Sequence, residues 1–136
     1  MGLTVVVRIV DSPDMVDGAL FDAMKRDGVE AVIVQPLFAG QQDKIVGLAM
    51  KSRLPVIADF TTFAKAGALF SLGVEEADIL RRAAYFVDRI LKGAKPADLP
   101  IEQPTTFRLT INVRAGTALG WTIPPLLLSR ADEVIE

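Results

Sequence analysis

The sequence has no cysteine and no histidine in its 136 residues. Without a thiol there is no disulfide framework, no Cys nucleophile and no iron–sulfur ligation. Without an imidazole there is no His-based triad, no HExxH motif and no Cys/His zinc cluster. Tyrosine and tryptophan occur once each. Any chemistry must therefore come from Asp, Glu, Lys, Arg, Ser, Thr or the lone Tyr85. An excess of one charge is also missing: 15 Lys and Arg face 17 Asp and Glu, for a net charge of −2. The signs are interspersed, so nothing marks a nucleic-acid partner.

A long apolar run is absent too. A membrane span needs about 20 apolar residues. The longest uncharged stretch, residues 115–129, is shorter and contains Pro124 and Pro125. Residues 1–12 lack a basic n-region, Arg8 breaks their apolar run, and no small-residue cleavage site follows. As written, the chain is expected to be a cytoplasmic product or a piece of something longer.

What is present is apolar content. Hydrophobic residues make up 51% of the chain and the mean hydropathy is +0.37. That is high for a lone soluble domain. A chain of this length suits one domain and buries roughly 68% of its unfolded surface.

Strands and helices alternate along the first two-thirds. Residues 3–10 are rich in Val and Ile and read as a strand. Ser12, Pro13 and Asp14 form a helix start, and Gly28 is its stop. Residues 31–34, 54–58 and 68–72 read as three more strands. Helices are expected over residues 41–53 and 75–91, and a short one capped by Thr61 or Thr62. Ile79, Leu80, Ala83, Val87, Ile90 and Leu91 make the apolar stripe of the long helix, which ends at Gly93. This pattern implies an α/β fold, a three-layer sandwich on a mainly parallel sheet.

The style changes after residue 93. Pro96, Pro100 and Pro104 imply an extended crossing segment. Residues 107–114 alternate apolar and polar, as in a half-exposed edge strand. Residues 121–136 read as an irregular tail, with Asp132-Glu133 a solvated charged end.

Ligands of parallel α/β sheets bind beyond the carboxyl ends of the strands. Gln35, Leu37, Phe38, Asp59, Phe60, Thr61 and Ser71 fall there, a mixture of amide, carboxylate, hydroxyl and aromatic groups suited to a small-molecule pocket. The alternative is that Asp11, Ser12, Asp59 and Thr61 only cap helices, and that Phe60 and Phe63 are core. The turn after residue 10 has no glycine, which excludes a dinucleotide fingerprint, and no P-loop occurs. A receiver-type site fails as well, since Asp11 stands without an acidic neighbour at the strand end. Nothing resembles a nucleophile–base pair. The direct reading is a binding protein, without catalysis and without a cofactor.

From Leu91 to Thr105 the sequence runs Leu-Lys-Gly-Ala-Lys-Pro-Ala-Asp-Leu-Pro-Ile-Glu-Gln-Pro-Thr. With Phe107-x-Leu109-x-Ile111-Asn112, Ala118-Leu119-Gly120, Ile123-Pro124-Pro125 and the ending Arg130 to Glu136, it resembles the ABC transporter substrate-binding proteins that include binders of aromatic amino acids. Arg53-Leu54-Pro55-Val56-Ile57 and Ala66-Gly67-Ala68-Leu69-x-Ser71-x-Gly73 fit the same family. The resemblance covers essentially the whole chain but only the C-terminal part of the family pattern.

That resemblance implies one lobe of a two-lobed, type I periplasmic-binding-protein-like fold. Residues 1–136 would be the C-terminal lobe, with a crossing and edge segment from about 94 to 136. It implies a solute-binding component of an ABC importer, taking a small polar organic molecule such as an amino acid. The contacts it implies fall on Gln35, Leu37, Phe38, Asp59, Phe60, Thr61 and Ser71. The implied partners are the solute and an ABC permease, in the periplasm or cell envelope. A surface left by a missing lobe also implies a homo-oligomer. The alternative is a self-associating, non-catalytic interaction module.

Overall fold

The structure, a computed structural model, describes residues 2–136. Its elements in order are α1 (Gly18–Arg26), β1 (Val32–Ile33), α2 (Gln42–Lys51), β2 (Val56–Ala58), α3 (Thr61–Lys65), β3 (Phe70–Val74), α4 (Glu76–Leu91), β4 (Phe107–Asn112), α5 (Val113–Leu119), α6 (Pro125–Leu128) and β5 (Glu133–Ile135). The fold is α/β, with one five-stranded, mostly parallel sheet in the order β1-β2-β3-β4-β5. Only the β3–β4 pairing is antiparallel.

The elements follow their residue types. Val56 and Ala58 on β2 are buried and pack with Phe21, Ile45, Ala49, Leu54, Phe63 and Ala68 in the main core. Those residues come from α1, α2, α3 and their flanks, so three helices cover one side of the sheet. Leu69, Ile111, Ala115 and Ile123 form a second cluster, joined by Phe70, Leu109, Leu127 and Leu128. Asn112 ties the sheet to both neighbours. Its Oδ1 accepts from Ala115 N at 2.9 Å, capping α5, and its Nδ2 donates to Ala64 O at 2.8 Å. Gly28 and Gly93 close their helices at φ 78° and 99°, in the left-handed region that glycine enters without steric cost.

Five expectations change. Residues 3–10 form no strand and pair with none; Val6, Arg8 and Val10 face β1 across a cavity. The first α-helix starts at Asp17, whose Oδ1 accepts from Leu20 N at 2.9 Å; residues Pro13–Met15 form a 3-10 turn instead. The start of α3 has no side-chain cap, since Phe60 occupies that position and not a threonine. β4 is not an edge strand. The tail supplies the reason: it is not irregular, because β5 adds parallel to β4 and Leu109 N donates to Asp132 Oδ2 at 2.8 Å.

α4 has the predicted extent and amphipathic stripe, yet no residue of it is buried. Leu80 is 64% exposed and Leu91 81%. The proline-bearing segment that follows lies against it through Arg82 and Glu102, which form a two-point ion pair. The Arg82 guanidinium also stacks over Tyr85, 4.0 Å from the ring centre. Among the described residues, no helix is long and apolar enough to cross a membrane.

Candidate functional site

β1, β2 and β3 run in the same direction, so their carboxyl ends share one side of the molecule. Because β4 is antiparallel to β3 and β5 is parallel to β4, the first residues of β4 and β5 reach the same side. A cavity of about 300 Å³ opens there. Phe60, Thr61 and Thr62 enter it from the end of β2, Val74, Glu75 and Glu76 from the end of β3, Arg108 from β4, Glu133 from β5, and Lys65 from α3.

Two cations and three carboxylates thus line one cavity. Arg108 is at its centre. Its Nη1 donates to Glu75 Oε2 at 2.9 Å, and its Nη2 lies 3.8 Å from Glu133 Oε2. Lys65 Nζ is 4.0 Å from Glu133 Oε1. The Glu75 hydrogen bond and charge, with Glu133 and Asp132 nearby, raise the Arg108 pKa further above its ordinary value. The guanidinium is therefore a fixed positive charge. Its Nε is shielded from solvent and unpartnered.

Asp59 stands just below Phe60. Its Oδ1 is buried without a hydrogen-bond partner, and such a group costs free energy until something donates to it. Gly73 lets the two strand ends meet here, with no side chain to hold β3 away from Asp59.

The sequence-derived residues separate into groups. Phe60 and Thr61 line this cavity, whereas Asp59, the residue before them, does not. Gln35 and Phe38 line a different cavity, beside α1 and β1. Leu37 is 90% exposed and lines neither. Ser71 is fully buried on β3 opposite Thr110, and neither hydroxyl has a partner. Sequence reasoning missed Arg108, Glu75, Glu133 and Lys65. Arg108 and Glu133 had a signal: one is on the polar side of an alternating strand, the other in a charged dipeptide followed by Val-Ile. Asp132-Glu133 is structural and not merely a solvated end.

Chemically the cavity offers fixed positive charge, carboxylate acceptors, hydroxyls and an aromatic ring. Three carboxylates line the cavity, but among the described residues no three His, Cys, Asp or Glu side chains are placed to hold a metal ion. The arrangement suits a small solute carrying both charges.

Residues 1–135 match a family model described as "ABC transporter substrate binding protein". No curated protein matches the chain. Among solved structures, one from Streptococcus pneumonia is described as an "ABC domain in complex with L-Trp". It is 27% identical, with a TM-score of 0.81, covering 93% of this chain and 44% of that one. A conserved domain protein from Vibrio cholerae is 26% identical with a TM-score of 0.79, covering 86% of this chain and 40% of that one. A ligand-free, open substrate binding protein with adhesive properties from Clostridium difficile shares the fold at 18% identity and a TM-score of 0.60, covering 88% and 40%. The chain therefore spans less than half the length of these solved structures, whose architecture is periplasmic-binding-protein-like.

Proposed function

Because the chain belongs to the ABC transporter substrate-binding protein family, we propose that it is the C-terminal, solute-contacting lobe of such a protein, serving an importer in the periplasm or cell envelope. Its solute is a small zwitterion of the amino-acid class, delivered to an ABC permease. The observation that carries this reading is the cavity at the carboxyl ends of β2 and β3, where Arg108 faces Glu75 and Glu133 beside Phe60 and Thr61. Arg108 would take the solute carboxylate, a bidentate match that guanidinium makes well. Glu75 would take its ammonium, Thr61 would add a hydroxyl contact, and Phe60 would cover the apolar part.

The L-Trp bound to the Streptococcus structure supports the amino-acid class. One lobe covers a solute from one side only. Since a full pocket buries about 70–90% of a ligand, this chain is expected to bind weakly. The test is a titration with the common L-amino acids, followed by backbone amide NMR. Shifts at Phe60, Thr61 and Arg108 support the reading. No shift with any amino acid removes it.

A second reading is favoured by α4. Its exposed apolar stripe, Ile79, Leu80, Val87 and Leu91, would drive self-association of a non-catalytic module. Apolar patches larger than a few hundred Å² ordinarily mark contact surfaces. Sedimentation over a concentration series separates the two: mass that doubles with concentration supports association, and a constant monomer mass dismisses it.

A further inference from the structure

The cavity at Phe60 carries more negative charge than positive. Arg108 and Lys65 face Glu75, Glu76 and Glu133 there, two cations against three carboxylates. On the premise that this cavity is the amino-acid site proposed above, we propose that it selects a basic amino acid of the lysine type, and that Glu76 takes the solute's side-chain cation.

The contacts inside the cavity divide its charges by role. Glu75 is committed to Arg108, whose Nη1 donates to its Oε2 at 2.9 Å. The other edge of the guanidinium makes no hydrogen bond. Its Nε is unpartnered, and its Nη2 lies 3.8 Å from Glu133 Oε2. That edge is the fork that holds a carboxylate at two points, and in Arg82 the same two nitrogens hold Glu102. The open fork on Arg108 is the place for the solute's α-carboxylate, with Glu75 beside it for the α-ammonium.

The remaining charges decide what the side chain of the solute is. Glu133 already lies between two cations, with Lys65 Nζ at 4.0 Å and Arg108 Nη2 at 3.8 Å. Glu76 lines the cavity from the first turn of α4. It has no ion-pair partner among the described residues. A neutral amino acid leaves that carboxylate uncompensated. An acidic one doubles the excess, and like charges brought together in one site cost binding energy. A basic one cancels it. Lys65 sets the direction, since it repels a second cation from the Glu133 side and leaves Glu76 to receive it. Glu76 is exposed in the free chain, so pairing it costs less desolvation than pairing a buried carboxylate. A cavity of about 300 Å³ is at the small end of ligand sites and suits a single amino acid.

The probes are L-lysine, L-norleucine, which is lysine without its side-chain ammonium, and L-glutamate. Each is titrated into the full chain at low ionic strength, with affinities read from amide NMR shifts at Phe60 and Thr61. Lysine is expected to bind about tenfold or more tightly than norleucine, the worth of one charge-assisted pair, and glutamate more weakly than either. In Glu76→Gln the lysine-to-norleucine ratio is expected to fall by about fivefold or more, and added salt is expected to shrink the native ratio. An acidic residue in the first turn of a helix also complements its dipole. That role alone predicts a lower thermal midpoint for Glu76→Gln with the ratio unchanged, and an unchanged ratio overturns the assignment to Glu76. Norleucine bound as tightly as lysine overturns the charge selection and leaves the amino-acid site standing. No binding by any amino acid removes the site itself, and the selection with it.

Discussion

Gly73 on β3 lies against the main chain of Asp59 at the end of β2, so closely that a Cβ on Gly73 would sit 1.8 Å from the Asp59 carbonyl oxygen. The approach shapes the candidate site, since Asp59 and Phe60 begin where β2 ends. Neither atom of this contact belongs to a flexible side chain. Gly73→Ala must therefore shift the main chain of one strand. The expected cost is about 1–3 kcal/mol, the usual range for overpacking. Urea unfolding measures it, and amide NMR should show the displacement centred on Asp59 and Phe60. An unchanged midpoint would mean that the strands separate freely.

Asn112 makes two buried hydrogen bonds from one side chain, one to the start of α5 and one to α3. Asn112→Ala removes the cap and leaves the Ala64 carbonyl without this donor. The two losses together are expected to cost about 2–4 kcal/mol. Asn112→Asp keeps the cap acceptor but turns a buried carboxylate oxygen toward the Ala64 carbonyl, so it is expected to be destabilised as well. An unchanged midpoint for Asn112→Ala would contradict both roles.

Ser71 and Thr110 face each other across β3 and β4 with both hydroxyls buried and unpartnered. Replacing both by apolar groups of similar shape removes an uncompensated desolvation. The variant Ser71→Ala with Thr110→Val is expected to be at least as stable as the native chain. Thermal unfolding decides this. A loss of about 2 kcal/mol or more would show that these hydroxyls do find partners in solution.

Glu102 is held below its ordinary pKa, mainly by the hydrogen bond from Arg82 and then by its charge. A carboxyl whose folded pKa is depressed contributes stability above its unfolded pKa. That contribution is lost as the pH falls through the lowered folded value. The segment around Glu102 is therefore expected to loosen from α4 in acid, on the low side of the ordinary Glu range. Carbon-detected NMR titration of the Glu102 carboxyl reads this directly. Arg82→Gln should return the titration to the ordinary range, and an unchanged titration in that variant would sever the link.

Local patterns in the sequence anticipated what is built locally. The stripe from Ile79 to Leu91 placed α4 to within one residue, and the apolar runs at 54–58 and 68–72 placed β2 and β3 to within two residues. Non-local pairing was not legible. Whether residues 3–10 form a ladder depends on a neighbour that no window of those residues contains. β4 looked like an edge because its polar positions alternate, yet Thr110 and Asn112 are buried beneath α3 and β5 closes its other side. The site was half legible for the same reason. Asp59, Phe60 and Thr61 follow a strand in sequence, whereas Arg108 and Glu133 reach the cavity only through the antiparallel turn of β4 and the late addition of β5.

The central claim is that a zwitterionic solute binds where Arg108 meets the ends of β2 and β3. Titration of the native chain and of Arg108→Met with L-amino acids, followed residue by residue by amide NMR, tests it most directly. The account predicts saturable shifts at Phe60, Thr61 and Val74 with at least one amino acid in the native chain. In a folded Arg108→Met variant the affinity should fall by about tenfold or more, the loss of one charge-assisted pair. Shifts confined to Gln35 and Phe38, or an affinity untouched by Arg108→Met, would contradict it.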